Sequence, residues 1–205
     1  MYRQKNPVYF HHDSTSDSAR NAVIIVLAVI LLFPSLLFAQ KEEIHQLKSI
    51  MKKARQCLYA KPRQLECALE YYSQLGNWYN ENKQYQAKLD LLGPIGQWDL
   101  CEGVGLAYAL NKLYYEATRW FKLASQVSIH LDGSKIAESY YNLACAEAAI
   151  GKADDAIIHL GNALEVDQSL EKPKLAKQAL VDPAFDPLRQ YGRFMQLLSS
   201  YLEKQ

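Results

Sequence analysis

Residues Tyr140–Val166 read YYNLACAEAAIGKADDAIIHLGNALEV. Apolar residues recur here every three or four positions, which is the period of an amphipathic helix. Gly151 interrupts the run near its middle, where a glycine can end a helix in a left-handed conformation. Small residues such as Ala144 and Ala156 would let two antiparallel helices approach closely, with large residues filling the holes beside them. The stretch therefore predicts a helical hairpin.

This pattern matches a known repeat family. The stretch resembles the tetratricopeptide repeat, in which two antiparallel helices carry large and small side chains at fixed places. Glu147 departs from the family, which usually has tyrosine at that place. The residues that fill the other places are Tyr140, Leu143, Ala144, Gly151, Ala156, Leu160 and Ala163.

The resemblance extends to most of residues 66–200. A second copy runs from Cys101 to Ala124, with Lys112 in place of the turn glycine. A weaker copy begins at Tyr71, and its second helix, near 85–92, matches only if one residue is deleted. The stretch 182–198, DPAFDPLRQYGRFMQLL, resembles the closing segment often found after such repeats in bacterial proteins. The residues expected to cover the open end of the stack are Leu188, Phe194, Leu197, Leu198 and Tyr201.

The predicted fold class is all-α. The resemblance implies a short α-solenoid of antiparallel helix pairs with N- and C-terminal capping helices, and no alternating strand pattern bounded by turn residues is present. We predict a leader at 1–39, a capping helix at 40–65, tetratricopeptide-like repeats at 66–168 and capping helices at 169–205.

The N-terminal leader contains an almost uninterrupted apolar run, AVIIVLAVILLFPSLLF, at 22–38. Arg20 precedes the run and Ala39 follows it, as in a secretory signal peptide cleaved after Ala39. Leu37 is larger than the residue usually preferred before such a site, and the polar front is long. The alternative is an uncleaved membrane anchor formed by 22–38, because a bilayer span needs roughly 20 apolar residues. Both interpretations predict export, to the periplasm or cell envelope.

The balance of charge limits the kinds of partner. The chain has 23 basic and 22 acidic residues, and removal of 1–39 takes away three and two of these, which leaves 20 of each sign. Nucleic-acid binding requires a clustered basic face, and an anionic membrane surface attracts a polybasic run. The charge of residues 40–205 therefore indicates neither nucleic-acid binding nor attraction to an anionic membrane. Membrane association is expected only through the N-terminal segment.

The tetratricopeptide resemblance implies a concave groove that binds a segment of another protein. The groove would be acidic at one end and apolar toward the other, which suits a peptide with one basic and one apolar end. The alternative is that the chain's own C-terminal helices fill the groove. The predicted groove residues are Glu102, Leu106, Ala109 and Leu110 on one helix, and Glu138, Tyr141, Cys145 and Ala148 on another.

The cysteines and histidines carry no catalytic or metal-binding pattern. Cys57 and Cys67 flank the turn at Lys61-Pro62 almost symmetrically, so a disulfide is reasonable in an oxidising compartment, although two buried thiols are the alternative. No CxxC pair, nucleotide-binding glycine loop or metal-ligand spacing is present. We therefore expect no cofactor, no metal, no small-molecule substrate and no enzyme activity.

These observations predict an exported adaptor that holds a segment of another envelope protein. A second hypothesis is a membrane-anchored assembly subunit that presents the repeats outside the membrane. A third is an enzyme of unrecognised type, which clustered titratable groups in a deep pocket would favour.

Overall fold

The computed structural model describes residues 38–84 and 86–203, without the side chains of 86 and 87. This part of the chain is helical and contains no strand, so the all-α prediction is confirmed. The chain divides into two compact units, Met1–Glu43 and Ile44–Gln205. The predicted leader lies outside the described residues except for its last two positions. No helix within the described ranges is long and apolar enough to cross a bilayer.

The helices follow one another with short connections. Helix α1 covers 38–59, and its residues from 44 onward belong to the second unit. The later elements are α2 (Leu65–Asn82), α3 (Gln86–Asp90), α4 (Gly93–Leu110), α5 (Tyr114–Ser128), α6 (Gly133–Ala149), α7 (Ala153–Gln168), α8 (Leu175–Val181), a 3-10 helix (Pro183–Leu188) and α9 (Gly192–Leu202).

Helices α1 and α2 pack through one buried face. Leu47, Met51 and Ala54 of α1 lie in the same apolar cluster as Tyr72 and Leu75 of α2. The three α1 residues are three and four positions apart, which places them on one side of the helix. A disulfide joins Cys57 to Cys67 across the intervening turn, with a Cα–Cα distance of 5.8 Å.

Two successive hairpins, α4–α5 and α6–α7, end their first helices in the same way. The amide N–H groups of Asn111, Lys112 and Leu113 donate to carbonyl oxygens near the end of α4. The N–H groups of residues 150, 151 and 152 make the same bonds at the end of α6, with every donor and acceptor shifted by 39 residues. Small residues are buried where the paired helices meet, and large ones fill the space beside them. The corresponding pairs are Gly105 and Ala144, Ala117 and Ala156, Phe121 and Leu160, and Ala124 and Ala163.

The turns that follow α4 and α6 each contain one residue with a left-handed backbone, two positions after the helix ends. Gly151 has a φ of 79°, and Lys112 has a φ of 62°. A side chain disfavours this conformation by roughly 1 kcal/mol. We expect Lys112→Gly to raise the free energy of unfolding by about 0.5–1 kcal/mol, measured by urea denaturation. Lys152→Gly is the control, because Lys152 has an ordinary φ of -84°; an equal gain there would contradict the explanation.

The first hairpin departs from this pattern. Helix α3 has only 5 residues, whereas α5 has 15 and α7 has 16. The sequence predicted a second helix near 85–92, and α3 lies inside these bounds. Helix α4 begins at Gly93, with Pro94 in its first turn. Proline is favoured at the start of a helix and disfavoured inside one, which explains why the chain changes helix here.

The C-terminal elements close the other end of the second unit. Phe185, Leu188, Phe194 and Leu198 are buried in one cluster with residues of α6 and α7. Asp182 begins the 3-10 helix, and its Oδ1 accepts a hydrogen bond of 2.9 Å from the amide of Ala184. These segments thus cover apolar surface that the last hairpin would otherwise expose.

Candidate functional site

The predicted groove residues fall into two groups in the structure. Five retain exposed surface: Leu106, Ala109, Leu110, Glu138 and Cys145. Three are buried: Glu102, Tyr141 and Ala148, with exposed fractions of 3%, 4% and 1%. The predicted concave groove is therefore corrected at these three positions, whose side chains are covered by other parts of the chain.

Tyr141 is buried because the chain's own C-terminal segment packs onto α6. Its hydroxyl donates a 2.8 Å hydrogen bond to Oδ2 of Asp182. The rings of Tyr141 and Phe185 pack edge to face, with their centroids 5.5 Å apart. Ala148 lies in the same apolar cluster. Along this part of α6 the chain itself occupies the surface expected for a partner.

Glu102 is buried because α6 supplies polar partners for it. Asn142 donates a hydrogen bond to its Oε1, and Ser139 donates a long one of 3.5 Å to Oε2. Ser139 in turn accepts a 2.7 Å hydrogen bond from Nε1 of Trp98. Burial raises the pKa of Glu102 to about 8, against the lowering effect of the Asn142 and Ser139 hydrogen bonds. Its carboxyl group therefore belongs to a buried network between α4 and α6.

A cleft of about 400 Å³, which we call the α6–α8 cleft, opens beside this network. It contains two predicted groove residues, Glu138 and Tyr141. Apolar groups form part of the wall, and amide and charged groups form the rest. The lining residues are Ser134, Ala137, Glu138, Tyr141, Asn142, Asp167, Leu170, Lys174, Leu175 and Gln178.

Asp167 fixes the far wall of the α6–α8 cleft. Its side chain is almost fully buried, and Oδ2 accepts hydrogen bonds of 2.8 Å from the backbone N–H groups of both Lys174 and Leu175. These N–H groups lie at the start of α8, where a helix has no internal acceptors for them. The carboxylate therefore holds the beginning of α8 against the end of α7.

We expect Asp167→Ala to lower the free energy of unfolding by about 2–3 kcal/mol, because two amide groups lose a charged acceptor. Thermal denaturation followed by circular dichroism measures the loss. Glu165→Ala, an exposed substitution on the same helix, should change stability by less than about 0.5 kcal/mol. Equal losses in the two variants would show that Asp167 does not anchor α8.

The charges of the α6–α8 cleft are mixed. Partial burial raises the pKa of Glu138, while the nearby Lys135 and Lys174 lower it. Glu138 provides an acceptor, Lys174 a cation, and Gln178 an amide that can both donate and accept. The cleft can thus bind a chain that carries donors, acceptors and an apolar side chain, as a peptide does.

A larger groove lies between α1 and α4, with a volume of about 580 Å³. Met51, Leu92 and Ile95 form its apolar surface, and Ile95 is 63% exposed. Arg55 of α1 forms an ion pair with Asp99 of α4. The first helix therefore covers the beginning of α4, as the C-terminal segment covers α6.

No family model, no curated protein and no solved structure matches this chain.

One pair of polar side chains was not predicted from the sequence. His159 Nδ1 lies 2.6 Å from Oε2 of Glu147. The His159 ring also stacks on Tyr140, with centroids 6.1 Å apart. Burial raises the pKa of Glu147, and the hydrogen bond with His159 opposes that rise. Their separation of 12 residues is too long for a local helical pattern to indicate the pair.

Other polar groups in the described ranges form no metal-binding cluster of three or more His, Cys, Asp or Glu side chains. Cys101 is a buried free thiol, and burial raises its pKa to about 12. Burial likewise raises the pKa of Cys145, the other free thiol. Reactive cysteines usually have a lowered pKa, whereas the surroundings of these two thiols favour the protonated form.

Proposed function

We propose that the chain is a tetratricopeptide-type repeat protein that binds a segment of another protein in the α6–α8 cleft. The observation that carries the proposal is the cleft itself, which places exposed Glu138 opposite Lys174 and Gln178 beside an apolar wall. Its volume of about 400 Å³ lies within the range of roughly 300–1,000 Å³ that binding sites usually have. The repeated 39-residue offset of the α4–α5 and α6–α7 hairpins supports the repeat assignment.

The bound segment should carry one basic and one apolar side chain. Glu138 would accept a hydrogen bond from the basic group, while Leu170 and Leu175 would contact the apolar one. The backbone of the segment would bond to the amides of Asn142 and Gln178. Because the C-terminal segment already covers Tyr141, the partner would bind beside it and not along a full concave groove.

The proposal includes export to the periplasm or cell envelope. The apolar run at 22–38 supports it, and so does the Cys57–Cys67 pair, because disulfides persist in oxidising compartments. A membrane-anchored assembly subunit is the second candidate, favoured by the length of the same run. N-terminal sequencing of the protein from its source cells separates the two, since a chain that begins at Gln40 excludes the anchor.

Site-specific photo-crosslinking in the source cells tests the cleft. A photoreactive amino acid at Gln178 faces the α6–α8 cleft, whereas the same group at Lys177, the preceding residue of α8, does not line it. We expect a covalent product with one partner protein from position 178 and none from 177. Glu138→Lys should reduce that product about tenfold, because it replaces an attractive charge by a repulsive one. Equal products from both positions, or none from 178, would refute the assignment.

A further inference from the structure

We propose that a separate cleft between α2 and α5 binds an acidic segment of a partner protein. This basic cleft has a volume of about 260 Å³. It shares no residue with the α6–α8 cleft, so this second binding surface does not depend on the function proposed above. The lining residues are Tyr79, Asn80, Lys83, Arg119, Trp120, Lys122, Leu123 and Gln126.

Three cations of the basic cleft have no carboxylate partner in the part of the chain that the structure describes. Within the described ranges, the side chains of Lys83, Arg119 and Lys122 take part in no ion pair or hydrogen bond. Arg189 and Arg193, elsewhere on the surface, each pair with an aspartate. Since residues 40–205 carry equal numbers of basic and acidic groups, the concentration of positive charge here is local.

The floor of the basic cleft is aromatic and tightly packed. The rings of Tyr79 and Trp120 meet edge to face, with centroids 5.2 Å apart. Gly76 gives this ring room, because a Cβ atom there would make a tight contact of 3.2 Å with Cζ2 of Trp120. Trp120 is only 7% exposed, so it forms a fixed apolar surface and not a free stacking platform.

The basic residues are not required by the packing of α5. Helix α7 occupies the equivalent place in the next hairpin, 39 residues later, and it has Ile158 and Gly161 where α5 has Arg119 and Lys122. Both helices bury the same pattern of small and large residues. The two cations therefore lie outside the buried pattern that α5 shares with α7, so their charge remains available for binding.

Size and charge favour an acidic polypeptide over a nucleic acid. Duplex binding draws its affinity from many phosphate contacts along an extended basic face, and this cleft offers three cations around one small depression. An aspartate or glutamate side chain can form paired hydrogen bonds with Arg119 and ion pairs with the lysines. An adjacent apolar residue of the segment would rest on Tyr79, Trp120 and Leu123. We therefore infer an apolar side chain flanked by carboxylates.

Titration of the full chain with the peptide acetyl-DEFLDD-amide, followed by ¹H–¹⁵N NMR of the indole groups, tests this inference. The indole of Trp120 reports on the basic cleft, while that of Trp98, bonded to Ser139, is an internal control. We expect a saturable shift of the Trp120 signal and none of the Trp98 signal. The neutral peptide acetyl-NQFLNN-amide should bind at least about tenfold more weakly.

Two pairs of substitutions distinguish binding in the basic cleft from a general effect of positive charge. Arg119→Gln with Lys122→Gln should weaken binding of the acidic peptide about tenfold or more, as measured by the same titration. Lys172→Gln with Lys177→Gln removes the same charge from exposed positions outside the basic cleft. This control pair should change the affinity for the acidic peptide by less than about twofold. Equal loss in both pairs, equal binding of the neutral peptide, an equal response to sodium phosphate, or tighter binding of duplex DNA would each overturn the proposal.

Discussion

Replacing Gly103 by alanine is expected to lower the free energy of unfolding by about 1–3 kcal/mol. A Cβ atom at this position would lie 2.3 Å from Cε1 of Tyr72 and 2.6 Å from its Cζ and Oη atoms. Tyr72 is 2% exposed, so its ring has no free space into which to move. Extra volume in a tightly packed core typically costs about 1–3 kcal/mol, and more where contacts are this short. A net loss therefore remains after the gain of roughly 1 kcal/mol that alanine gives a helix interior.

Gly161→Ala is the matched control, because Gly161 also lies inside a helix. Its nearest neighbour to an added Cβ is Cδ1 of Leu197, at an ordinary contact distance of 3.7 Å. This variant should be more stable than the parent by about 0.5–1 kcal/mol. Urea denaturation of both variants measures the contrast. If Gly103→Ala were as stable as Gly161→Ala, the close contact between α2 and α4 would be contradicted.

The second large effect is a change in how stability depends on pH. Burial raises the pKa of Glu102 to about 8, from an ordinary value near 4.5. The unfolded chain therefore loses this proton at lower pH than the folded chain does. The group destabilises the fold progressively as pH rises from about 4.5 to 8, and the full loss is present above that range.

We expect Glu102→Gln to remove this dependence, because an amide keeps the shape of the protonated carboxyl group but does not ionise. Near pH 5 the variant and the parent should differ by less than about 1 kcal/mol. Near pH 9 the variant should be more stable by about 2–5 kcal/mol, in proportion to the shift in pKa. Urea denaturation between these pH values provides the comparison. Parallel curves would show that Glu102 is not held in a buried, proton-retaining site.

The hairpins could be predicted from the sequence because their signals are local. Gly105, Ala144 and Ala156 stand at small-residue places of a helical period, and all three are buried. Gly151 ends α6 as its position in the run indicated. Lys112 fills the equivalent place in α4 with the same backbone conformation. Side-chain size and glycine position therefore determine the crossings and turns of these two hairpins.

The candidate site could be predicted only in part because its contacts join distant residues. The helical period placed Glu102 on one face of its helix and Tyr141 on one face of the other. It could not show that Asp182, 41 residues further along the chain, would bond to Tyr141. The bond from Asn142 to Glu102 spans 40 residues and is equally invisible to a local pattern. The α6–α8 cleft exists because α8 folds back toward α6, which periodicity along the chain does not encode.

The basic cleft could not be predicted from the sequence for a related reason. The overall charge of the body is balanced, so composition gives no sign of a basic site. Lys83 is separated from Arg119 by 36 positions, and the cleft brings them together. Neither residue is part of a run of basic residues, which would have indicated a basic site. Only the packing of Trp120 against α2 places the three cations around one depression.

Amide hydrogen exchange of the full chain, with and without the partner that crosslinks to position 178, tests the central claim most directly. The account predicts slower exchange in the partner complex over 134–142 of α6 and over 170–178, the segments that line the α6–α8 cleft. Residues 44–59 of α1 should exchange at the same rate in both samples. Unchanged exchange in both cleft segments, with protection confined to other helices, would contradict the proposal that this cleft binds the partner.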